Sequence, residues 1–75
     1  MTDPQIVTPD ILKQRAEILE LYKAGKRAKA EEAARALLAG SPDDAETISI
    51  LAAILIDRNA FEEAEVALRR ALELA

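Results

Sequence analysis

Few side chains in this sequence are equipped for chemistry. Histidine and cysteine are both absent, which removes the commonest general base, the thiolate nucleophile and the usual zinc ligands together. Ser41 and Ser49 are the only serines, and a serine hydroxyl needs an adjacent base before it can attack. Two carboxylate pairs, Asp43 with Asp44 and Glu62 with Glu63, have the residue types for acid–base or metal work. Both fall where a helix is expected to begin, and the positive end of the helix dipole accounts for acids there. Glycine occurs only at positions 25 and 40, too far apart for a phosphate-cradling loop. The chain therefore reads as non-catalytic, not an enzyme, with no cofactor and no metal expected.

Charge is unevenly placed. Residues 1–40 hold seven basic and six acidic side chains, whereas residues 41–75 hold three and eight. Lys23, Lys26, Arg27 and Lys29 form a basic corner, which reads either as an anion site or as a solvated corner with cations favoured at a helix C-terminus. The net charge of −4 and a single nearby aromatic, Tyr22, argue against nucleic acid as a partner. Met1-Thr2-Asp3-Pro4 lacks the basic and apolar regions of a signal peptide. The apolar run from Ile48 to Ile56 is too short to span a bilayer. No membrane association and a cytoplasmic location are expected.

The elements that position these residues are helices. Residues 1–8 read as a flexible lead-in, with Thr8 capping a first helix, Pro9 at its first position and Asp10 at the positive end of its dipole. Ile11, Leu12, Ile18, Leu19 and Tyr22 recur at helical spacing, and Gly25 ends this helix with a left-handed backbone. A second helix is predicted over Ala28 to Ala39, its apolar face Ala30, Ala33, Ala34, Leu37 and Leu38, with Gly40 as its stop. Ser41 as cap, Pro42, and Asp44 in the place of a capping-box acid announce a third helix over Asp43 to about Arg58. It is apolar nearly all round and must be covered on at least two sides. Asn59 forms the next corner, and a fourth helix starts near Phe61. Glu31 with Arg35, and Glu65 with Arg69, have the favourable order of an i,i+4 ion pair. At 75 residues, rich in alanine and with only two aromatics, the core is thin.

The strongest signal is a repeat. Gly25 and Asn59 lie 34 residues apart, as do Leu21 and Leu55, Ala30 and Ala64, Glu31 and Glu65, Ala33 and Ala67, Arg35 and Arg69, and Leu38 and Leu72. A helix–corner–helix unit of this period resembles the tetratricopeptide repeat family. In the second unit, about 45–75, Leu51, Phe61, Ala64 and Ala71 match the family pattern; Ile48, Ala52, Leu55 and Asn59 replace its tryptophan, glycine, tyrosine and corner glycine. The first unit, about 11–44, keeps Tyr22, Gly25, Ala30 and Pro42, but places Gln14, Glu17 and Arg27 where the family has large apolar or aromatic residues. The resemblance implies an all-α fold of four helices in two antiparallel hairpins, a fragment of a right-handed α-solenoid spanning residues 9–75. Its first helix is either shifted or an atypical end cap.

The resemblance also implies where a ligand would lie. The first helix of each repeat lines a concave face, which by position contains Leu12, Arg15, Leu19, Tyr22 and Lys23, then Glu46, Ser49, Ala53, Ile56 and Asp57. That surface resembles a peptide groove with an apolar floor and charged edges; the alternative is that Leu19, Tyr22 and Ile56 simply pack in a parent assembly. Leu19 and Ala53 occupy the asparagine positions of the family's carboxylate clamp, so that clamp is absent. Three roles follow: a scaffold-like module binding a protein, peptide or partner helix; a self-assembly element; or an N-terminal accessory segment of a longer enzyme such as a transferase. In the last helix Phe61, Ala64, Leu68 and Ala71 are expected to face their hairpin partner, leaving Leu72 and Leu74 for a repeat that does not follow. Exposing two leucines forgoes roughly 1.5–3 kcal/mol each, so a homo-oligomer is expected, most simply a two-fold homodimer through Leu72 and Leu74.

Overall fold

The computed structural model describes residues 8–74, and within them the chain is all α. Four helices follow in order: α1 (Pro9–Lys23), α2 (Arg27–Gly40), α3 (Ala45–Asp57) and α4 (Phe61–Leu74). Apart from Thr8, the expected lead-in lies outside the described residues. The Thr8 hydroxyl accepts a bond from the Ile11 amide at 3.2 Å, and Pro9 opens α1, as the cap and proline signals anticipate.

The two hairpin corners are built alike. After α1, the Lys26 amide donates to the Leu21 carbonyl and the Gly25 amide to that of Tyr22, with Gly25 at φ 79°. After α3, Ala60 donates to Leu55 and Asn59 to Ile56, with Asn59 at φ 64°. Both are Schellman closures, and each needs a residue that tolerates left-handed backbone. Shifting α2 by the 34 residues that separate Gly25 from Asn59 lands its bounds on those of α4.

The connection between the hairpins differs from the sequence reading. Gly40 does not stop α2; it is the last residue of the helix, and Gly25 is the glycine with positive φ. The helix ends at Ser41, whose amide still bonds the Leu37 carbonyl. Pro42 restricts the residue before it to extended backbone, which explains the stop. Ser41 does not cap α3 either. A turn closed by the Asp44 amide on the Ser41 carbonyl passes through Pro42, and α3 begins at Ala45 with Asp44 as its cap residue.

The core is a single layer between the hairpins, with Ile18, Ala30, Ala34, Leu37, Leu51, Ile54, Leu55 and Ala64 in one cluster. Alanine lets the helices approach closely: Ala30, Ala34 and Ala52 are fully covered and Ala64 nearly so. Helix α3 packs against all three others. Ile48, Leu51, Ala52, Ile54 and Leu55 are buried within the chain itself, so the apolar surface expected to lack partners is largely covered. α4 is rotated relative to expectation. Ala64 and Ala71 face inward, whereas Phe61 and Leu68 are exposed beside Leu72; Leu74 is half-buried. Alanines suit the short distance to α3, and the large side chains are left on the outside.

Candidate functional site

The surface on which ligand contacts are expected divides into residues that hold the hairpins together and residues that stand free of the core. Arg15 belongs to the first set. Its guanidinium reaches from α1 to the start of α3 and makes a forked pair with Asp44, one arm being Nε to Oδ2 at 3.1 Å. The fully buried Thr47 hydroxyl donates to the same carboxylate at 2.5 Å. Burial works against the Asp44 carboxylate, but the bonds from Arg15 and Thr47 outweigh it and hold its pKa below the ordinary value; the same pair raises that of Arg15. Tyr22 is likewise engaged: its hydroxyl donates to Asp57 at 2.6 Å, which raises the phenol pKa, and Arg27 joins Asp57 at 3.3 Å. Part of the basic corner is thus an internal clasp, while Lys23, Lys26 and Lys29 stay exposed.

α3 therefore lies in the cleft between α1 and α2, fastened near its start by Arg15 and at its end by Tyr22 and Arg27. A second fastening lies on the α2 side. Arg58 bonds Glu31 at 2.7 Å, and Glu63 of α4 is 2.7 Å from Arg35 and 3.5 Å from Arg58. With the Glu31–Arg35 pair at 3.0 Å these four close a ring of alternating charge. The bond from Arg58, reinforced by Arg35, lowers the Glu31 pKa against a smaller opposing effect of burial.

Leu12, Leu19, Lys23, Glu46, Ser49, Ala53, Ile56 and Asp57 are exposed. Ile56 lines an open groove of about 600 Å³ with Phe61, Ala64, Glu65, Leu68, Arg69 and Leu72 of α4. Ala45, Glu46 and Ser49 continue it along Leu68, Ala71 and Leu72. The outer stripe of α3 thus shares its cleft with α4, whose Leu72 the sequence reading placed at a self-association face. Phe61, Leu68 and Leu72, with Glu65 between them, repeat at helical spacing, and that stripe was the available signal.

Among the described residues no group of three or more acids is placed to hold a metal ion, and no helix is long and apolar enough to cross a membrane. Comparison with known proteins finds no matching family model, curated protein or solved structure.

Proposed function

We propose that the chain is a protein–protein interaction module of the tetratricopeptide kind, non-catalytic, which binds a peptide or partner helix on its exposed helical surface. One observation carries this reading. Of the seven large apolar side chains left exposed among the described residues, Ile56, Phe61, Leu68 and Leu72 line one groove. Scattered exposed leucines mean little, but a contiguous apolar patch rimmed by charge is the usual mark of a binding surface. The like-built corners and the 34-residue register of α2 and α4 support the family assignment. Leu12 and Leu19 on α1 are exposed as well, as are the charged Lys23 and Glu46.

A peptide selected from an unbiased display library and titrated into isotopically labelled protein tests the reading. Amide shifts should cluster on the outer residues of α1 and α3 or along the α3–α4 groove. Failure to select any binder, or shifts confined to the solvent side of α2, would reject it. The exposure of Leu72, at 76%, favours a second reading, self-association through the α4 face. Light scattering at micromolar concentration separates the two, since a stable monomer excludes the second.

A further inference from the structure

Among the described residues a filled cleft and an open cleft share the same construction. The cleft between α1 and α2 holds α3. The cleft between α3 and α4 is its counterpart along the chain, displaced by the repeat. Ile56 stands in the place of Tyr22, Phe61 in that of Arg27, Glu65 in that of Glu31, Leu68 in that of Ala34, and Leu72 in that of Leu38. Ala34 is fully covered by the helix it receives, whereas Leu68 and Leu72 are 42% and 76% exposed. The charge ring is repeated by half. Glu65 and Arg69 pair at 3.3 Å in the register of Glu31 and Arg35, but their side chains are 65% and 74% exposed, and among the described residues no further ion pair to either is seen.

We infer that the α3–α4 groove receives an amphipathic helix from a partner protein, lying parallel to α3 and carrying a cation at its C-terminal end that bonds Glu65. The inference rests on the interaction-module reading and supplies its partner. Polarity follows from the filled cleft, where Arg15 meets the start of α3 and Tyr22 its end. The cation follows from Arg58, which closes on Glu31 one residue beyond α3. Just before that cation the guest carries an apolar residue, because Ile56 and Phe61 replace the tyrosine and arginine that grip Asp57. Leu68, larger than Ala34, raises the floor, so the guest rides farther out than α3 does.

A second copy of this chain docked head to tail is a poor occupant. Its α1 would present Glu17 and Glu20 where α3 presents Leu51 and Ile54, placing two carboxylates over an apolar floor.

The test uses a display library of helices built on residues 44–58, randomised at positions 47, 50, 51, 54, 57 and 58 and made polar at 48, 52 and 55. Selection against the intact chain should enrich arginine or lysine at position 58, and selection against Glu65→Lys should enrich an acid there. The selected helix should lose about fivefold in affinity on Glu65→Lys and at least about tenfold on Leu72→Glu. Both residues are exposed, so neither change threatens the fold. A helix that binds equally to all three proteins, or no enriched helix, overturns the inference. If the unbiased library still yields a ligand elsewhere on the surface, the module reading survives that failure. A free chain that is dimeric and becomes monomeric on Leu72→Glu would make a second copy the occupant, and overturn the inference in that way.

Discussion

Asp44→Ala should be among the most damaging single changes to this chain. It leaves Arg15, whose side chain is 16% exposed, without its carboxylate, and deprives the buried Thr47 hydroxyl of its acceptor. Breaking one side of a fully buried ion pair costs about 3–5 kcal/mol, and an orphaned hydroxyl about 1–3 kcal/mol. The guanidinium retains a path to water, so the combined cost is placed at about 2–4 kcal/mol. A domain of this size has only about 4–11 kcal/mol to lose. Urea unfolding followed by circular dichroism measures the loss at about pH 7, and Arg15→Met with the double variant completes a cycle. The double variant should recover about 2 kcal/mol relative to the sum of the singles, because no charge is then left unpaired. The pH dependence has a definite sign. Asp44 has a lowered folded pKa, so its stabilisation is complete above the ordinary value of 3.8 and fades as pH falls through the folded value. The gap between the natural chain and Asp44→Ala should therefore narrow toward about pH 2. A cost below about 0.5 kcal/mol, additive singles, or a gap independent of pH would refute the reasoning.

Two further changes probe the corner and the cleft. Asn59→Gly should be neutral or slightly stabilising, and Asn59→Val should cost about 1 kcal/mol or more, because φ is 64°; equal midpoints in urea would argue against a left-handed corner. Ala34→Leu should cost about 1–3 kcal/mol by overpacking, since Ala34 is fully covered by its neighbours, and an unchanged melting temperature would mean that α2 and α3 sit farther apart.

Helix existence and both left-handed corners were legible because caps, prolines and the 34-residue register are local signals. Gly40 misled because glycine marks a helix end only when the left-handed backbone is required there; Pro42 imposes the stop on Ser41 instead. The Arg15–Asp44 clasp joins residues 29 apart, and periodicity says nothing about such a pair. Asp44 also has an adequate local explanation as a helix-start acid, which concealed its tertiary role. On α4 the sequence offers two apolar stripes, one of alanines and one of large side chains. Period alone cannot say which meets α3, and the close approach of the helices decides it for the alanines. That choice turned Phe61 and Leu68 outward and opened the groove.

Because α3 contacts every other helix, its amides should exchange with solvent only when the whole chain unfolds, whereas α1 can open at its edges at lower free energy. The outer stripe of α3 is then a wall that a ligand does not have to order. The other side, α4, is held against it by the most extensive helix contact in the fold and by the ion pairs of Glu63 with Arg35 and of Arg70 with Asp43. The groove is therefore a preset shape, and the affinity of any ligand for it depends on matching that shape rather than on ordering its walls.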